Sequence, residues 1–186
     1  MIPRMSERTE LRSGDEVLAI FDDAGRQIGT APRSRVFAEG LWLASAGVLL
    51  RSLDGRWVYV HRRSHNKEVF GGLNDCIAGG GVDPGESPEQ AARRELGEEL
   101  GVTGVTLSPL ARISWDGSWA GRPLRCHLHA FEGQYDGPIR HQDREIAGGG
   151  WWTEAGLRRR LADPSWPFAP HSRALLGASL GWATGR

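Results

Sequence analysis

Lysine is almost missing from this chain. Of its 23 lysines and arginines only Lys67 is a lysine, a bias that genome composition explains as readily as phosphate binding. Cysteine is nearly as scarce. Cys76 and Cys126 stand alone, without CxxC spacing or a histidine cluster, which excludes a disulfide framework and a zinc site of ordinary pattern. There is no surplus of either charge: 23 basic residues face 23 acidic ones. Nothing therefore steers the chain toward a nucleic-acid polymer or a membrane surface. No apolar run approaches the roughly 18 residues of a membrane span, and the polar start MIPRMSERTELRSGDE lacks the core of a signal peptide. These absences lead us to expect a reduced, cytoplasmic, soluble protein.

What is present is an ordinary globular composition, 39% hydrophobic and 25% charged over 186 residues, the size of one domain. Residues 1–14 read as a flexible tail and 15–186 as a single domain. EVLAIF and RQIGTAP form a strand–turn–strand around DDAG, and SRVFAEG gives a helical turn or two closed by Gly40. LWLASAGVLLRS and WVYVHRRS read as an antiparallel pair joined by LDGR. VTLSPLARISW and PLRCHLHAFEGQY are strands joined by the turn DGSWAGR. EIAGGGWWT is a further strand, and Thr153 caps the helix EAGLRRRLA. HSRALLGASLGW is a last helix. The order implies a mixed sheet flanked by helices, an α/β domain.

The best-defined element follows a glycine-rich loop, in GGGVDPGESPEQAARRELGEELGV from Gly79 to Val102. Ser87 is the N-cap, Pro88 opens the helix, Gln90 completes a capping box, and Gly101 closes it. Ala92, Leu96 and Leu100 make one apolar stripe. Glu95, Glu98 and Glu99 make another stripe whose like charges repel. Carboxylates one turn apart suit a hard divalent cation such as Mg²⁺, which would offset that repulsion. The Gly79–Gly81 turn allows close backbone approach and a carbonyl ligand from Gly80. Taken alone, E-x-x-E-E is more often a solvated helix face.

The full spacing is more informative. Gly80, five residues, Glu86, seven residues, Arg94-Glu95-Leu96, one residue, Glu98-Glu99, one residue, Gly101-Val102 resembles the Nudix hydrolase signature at every fixed position. The resemblance implies a loop–helix–loop catalytic motif over residues 80–102 in an α/β/α sandwich around a mixed sheet. It implies Mg²⁺- or Mn²⁺-dependent hydrolysis of a small-molecule diphosphate, such as a nucleoside diphosphate derivative. Carried over by position, Glu95, Glu98 and Glu99 are metal ligands, with Glu98 and Glu99 central to catalysis. Glu86 and Arg94 brace the loop against the helix. A homodimer follows by family analogy only.

The segment EVLAIFDDAGRQIGTAPRSRVFAEGLWLA, followed by VYVHRRS, is similar to Nudix proteins related to isopentenyl-diphosphate isomerase. That isomerase works with a Cys-Gly-His stretch where this chain has Gly79-Gly80-Gly81, and a metal-binding histidine where it has Trp42. Cys76 lies three positions early and reads as core. Hydrolysis is therefore favoured; isomerase-like chemistry and a non-catalytic nucleotide-binding module are the alternatives.

Outside the helix, Glu145 matches a place where related proteins carry an acidic base or ligand, with a solvated loop carboxylate as the ordinary alternative. Arg62, Arg63 and Lys67 follow a strand and could grip phosphate. Alternation lets only one of the two arginines face a site. His127 and His129 share a strand face and either line a pocket or pack in the sheet. Trp115, Trp119, Trp151 and Trp152 suit stacking on a flat group or, more commonly, core packing.

Overall fold

The computed structural model describes residues 16–182. The tail expected over residues 1–14 lies outside them. The chain opens with a hairpin, β1 (Val17–Phe21) and β2 (Gln27–Pro32), and a short helix, α1 (Arg33–Glu39), that stops at Gly40 in the left-handed conformation. β3 (Trp42–Arg51) follows, then β4 (Trp57–Arg63), β5 (Asn74–Asp75) and β6 (Ile77–Gly81). Next come helix α2 (Pro88–Leu100), the long strands β7 (Ser108–Trp119) and β8 (Arg122–Gln134), then β9 (Ile146–Thr153). Helices α3 (Glu154–Leu161) and α4 (Pro170–Leu180) complete the described chain.

β3 is the hub of the mixed sheet. It runs antiparallel to β6 and parallel to β8 over ten residue pairs, from Trp42 beside Arg125 to Arg51 beside Gln134. Its residues alternate between two cores. Ala44, Ala46, Val48 and Leu50 join Leu96 and Leu100 of α2 on one face. Leu49 joins Leu157 and Leu161 of α3 and Leu175 and Leu176 of α4 on the other. Both faces of the sheet are thus covered, which makes the α/β/α sandwich.

Two details differ from the expectation. The β3–β4 hairpin pairs only at Arg51 and Val58, because β6 and β8 take both edges of β3 while β4 pairs with β9 from Trp57 to Arg63. DGSWAGR is mostly strand. The turn shrinks to Ala120 and Gly121, with φ of 50° and 77°, the two positive values that a tight hairpin turn needs.

Candidate active site

α2 places the site by its caps. The Ser87 hydroxyl accepts from the Gln90 backbone N–H at 3.2 Å, and the Ser87 N–H donates to the Gln90 side chain at 2.8 Å. This fixes where the loop enters the helix. Arg94 then clamps loop to helix. Its Nε and Nη2 donate to the two Glu86 oxygens at 3.0 and 2.9 Å, Nη2 also donates to the Gly81 carbonyl at 3.0 Å, and Nη1 reaches Glu95 at 2.5 Å. Glu86 in turn accepts from the Asp83 N–H at 3.1 Å. Burial works against the guanidinium charge, but Glu86 and Glu95 outweigh it and raise the Arg94 pKa.

Along α2 the three glutamates have different surroundings. Glu99 is wholly buried; one oxygen accepts from the Gly79 N–H at 3.0 Å and the other from Lys67 Nζ at 3.1 Å. Glu95 is buried against Gly80, where a β-carbon would come within 2.6 Å of its carboxylate. A side chain at that position would push the carboxylate aside. Glu98 is 45% exposed and lies 3.5 Å from Arg94. Glu145, on the turn before β9, makes a short contact with the same Lys67 ammonium.

Beside these groups lies a cavity of about 530 Å³, whose lining includes neither Glu98 nor Glu99. Gly79, Gly80, Gly81, Glu95, Lys67 and Glu145 line it, and Phe37, Phe70 and Leu124 give it an apolar wall. Among the described residues no three His, Cys, Asp or Glu side chains form a metal-holding cluster by themselves. Two cations explain the spacing: Lys67 lies between Glu99 and Glu145, and Arg94 holds Glu95. The donors are all oxygens and already accommodate a positive charge, so the residues fit a hard divalent ion.

The candidate phosphate-binding residues separate. Arg62 points away from the cavity, donating to the Gly72 carbonyl at 3.2 Å and contacting His65 at 2.9 Å. Arg63 is 7% exposed, lines the cavity and donates to the Val69 carbonyl at 3.1 Å. Lys67 lines it too, with its charge directed at carboxylates. His127 is a sheet residue, stacked on Trp42 at 4.6 Å and bonded to Ser114 and the Asp22 carbonyl. Trp115 and Trp119 pack edge-on against Phe70.

Several lining residues carry no sequence signal. Arg122 and Arg144 reach the cavity, and their side chains make no hydrogen bond or ion pair among the described residues. Asp75 is 1% exposed, accepts from the Cys76 and Ile77 N–H groups, and is pushed up to about 6 by burial. Phe70 holds φ at 55°, a conformation rare for a bulky side chain and found where surroundings over-determine it. Only the adjacency of Arg144 to Glu145 could have drawn attention in the sequence.

A model of the NUDIX domain matches residues 41–172, more than two thirds of the chain. The chain belongs to the Nudix family of hydrolases. It is 59% identical over 179 residues to an uncharacterised Nudix hydrolase of Rhodococcus erythropolis, covering 94% of this chain and 96% of the relative. The crystal structure of DR0079 from Deinococcus radiodurans superposes with a TM-score of 0.72 at 25% identity, over 88% of this chain and 99% of that one. An isopentenyl-diphosphate delta-isomerase of Burkholderia multivorans is more distant, 28% identical over 91% of this chain and 98% of its own length. Nudix hydrolases generally use divalent metal ions and act on small-molecule diphosphates. The loop–helix–loop of the family is the segment built here on Glu86, Arg94 and the three glutamates of α2.

Proposed function

We propose that this Nudix hydrolase cleaves the diphosphate linkage of a small molecule, a nucleoside diphosphate derivative or related compound. In this reading Glu95, Glu98, Glu99 and the Gly80 carbonyl hold Mg²⁺ or Mn²⁺. The observation that carries it is Glu95, buried against Gly80 at the cavity wall, with the buried Glu99 accepting from the N–H of Gly79, which lines the same cavity. A divalent ion there would polarise a phosphoryl oxygen and lower the pKa of a water nucleophile. The Arg94–Glu86 clamp holds the loop so that these oxygens keep their positions. Glu145, on the same cavity, takes the proton of the attacking water. Arg63, with Arg122 and Arg144, neutralises the phosphates. A cytoplasmic setting, expected from the sequence, and a homodimer, by family analogy alone, belong to this reading.

The relative from Burkholderia supplies the second reading, isomerisation of an isoprenoid diphosphate. Packing opposes it. A β-carbon on Gly79, where the isomerase has its cysteine, would lie 2.5 Å from Gly47 Cα and closer still to the Ala46 carbonyl. Cys76 is fully buried, and desolvation raises its thiol pKa, so it offers no substitute.

Incubation with Mg²⁺ or Mn²⁺ and a panel of nucleoside diphosphate derivatives and isopentenyl diphosphate tests both. We expect phosphate-containing hydrolysis products, with kcat lowered at least about 100-fold by Glu98→Gln or Glu99→Gln, the scale of losing one electrostatic stabiliser. Isomerised isopentenyl diphosphate would overturn the assignment. Tight binding without turnover would instead make the protein a nucleotide-binding module.

A further inference from the structure

The only lysine of the chain sits where the proposed ion would bind. Lys67 Nζ lies 3.1 Å from Glu99 Oε1 and in short contact with Glu145 Oε2. Its side chain is 16% exposed and the Glu99 side chain 0%. The ammonium and the proposed divalent ion both draw on the Glu99 carboxylate, and their like charges repel at such short range. A buried carboxylate left without a counter-charge is costly, by several kcal/mol in general. Glu99 therefore always needs a cation, and Lys67 supplies one.

We propose that Lys67 is a built-in counter-ion that competes with the divalent cation for Glu99, and that on metal binding it leaves Glu99 and Glu145 and turns into the cavity to meet the substrate's phosphates. The proposal rests on the metal-dependent reading above. Three features carry it. The Lys67–Glu99 contact links residues 32 apart in sequence and cannot be a local helix pairing. Lys67 stands in a turn between β4 and β5 rather than inside a strand or helix, its N–H bonded to the Ser64 carbonyl at 3.1 Å. Its four-carbon stem can swing without disturbing the sheet. Finally, Lys67 and the apolar wall line one cavity, so an ammonium leaving the carboxylates stays within reach of a substrate bound there. Lysine suits this as arginine would not, because a compact ammonium on a flexible stem occupies a point position that a planar fork cannot. Lys67 thus stands in for the metal on Glu99 before binding, and contacts phosphate after it.

The test is equilibrium Mn²⁺ binding to the full-length protein, wild type against Lys67→Met and Lys67→Arg, by calorimetry and by the free-Mn²⁺ spin-resonance signal. Removing the competing charge should tighten Mn²⁺ binding at least about tenfold in Lys67→Met, while Lys67→Arg stays near wild type or weaker. Without metal Lys67→Met should melt below wild type, and Mn²⁺ should raise its melting temperature by more than it raises that of wild type. With saturating Mn²⁺, methylenebisphosphonate, a diphosphate mimic that resists hydrolysis, should bind more weakly to Lys67→Met than to wild type. Equal or weaker Mn²⁺ affinity in Lys67→Met, or unchanged binding of the mimic, would overturn the proposal and leave the metal-dependent reading in place. If neither wild type nor Lys67→Met binds Mn²⁺, both fall together. Should Lys67→Met not fold without metal, Lys67→Gln with the same readouts replaces it.

Discussion

Glycine at 79 is a packing requirement as well as a motif position. The residue faces Gly47 across the β3–β6 pair, and any side chain would press on the Ala46–Gly47 backbone. Gly79→Ala should cost about 1–3 kcal/mol or more, the range for overpacking a tight interior, read as a lower urea midpoint. Its N–H also donates to Glu99, so strand displacement would move a glutamate of the site. Gly81, by contrast, has open space around the position of a β-carbon. The sequence shows three equal glycines; only the packing ranks them. The same holds for Arg62 and Arg63. Alternation says that one of them faces the cavity, and the twist of β4 with its bulge opposite β9 between Arg62 and Arg63 decides that it is Arg63.

At the scale of elements, α2 is almost entirely legible from its own sequence. Capping box, opening proline and the closing left-handed glycine all act within a few residues, where local chemistry suffices. Ser87→Ala should therefore lower stability by about 1 kcal/mol, seen as a shift in the unfolding midpoint with no change in its slope. Because Ser87 sits at the junction of loop and helix, the same variant should also weaken the alignment of Glu86 with Arg94. The strands are less legible. β3 and β4 are adjacent in sequence and share a turn, yet they separate after one residue pair. The turn decides the start of a hairpin, but competition among β6, β8 and β9 for the same edges decides how far it continues. α1 and the β1–β2 hairpin precede the residues matched by the family model. They still contribute Phe37 and Arg33 to the cavity wall.

Over the whole molecule, burial sets a pH dependence that no local motif reveals. Asp75 is raised from 3.8 to about 6, mainly by desolvation, which outweighs Arg63 and the backbone N–H groups beside it. The folded state thus holds an extra proton in that window. The stability Asp75 contributes is full below about 3.8 and lost as pH rises through about 6. His61 runs the other way. It is 1% exposed, its Nε2 has no hydrogen-bond partner among the described residues, and desolvation followed by Arg63, Lys67 and His141 lowers it from 6.5 to about 3. Its contribution is full above 6.5 and lost as pH falls toward 3. Between about 3.8 and 6 the two offset each other. Asp75→Asn should raise the urea midpoint at pH 7.5 and make its fall from pH 6 to pH 4 steeper than in wild type, by about one proton's worth of linkage. Parallel slopes would show that Asp75 does not titrate in this range.

The sequence by itself determined the family, the helix that carries the glutamates, the loop that Glu86 and Arg94 brace, and the layered α/β class. Each of these rests on short-range relations: caps, spacings of three and four, alternation of two. Only the tertiary structure decided that Lys67 lies between Glu99 and Glu145, that Arg63 rather than Arg62 faces the cavity, and that Asp75, Phe70 and Arg144 line it. The reason is physical. Those contacts join residues that are tens of positions apart, and their partners are chosen by how the sheet curls and which edges are already taken, quantities that no local window of the chain contains.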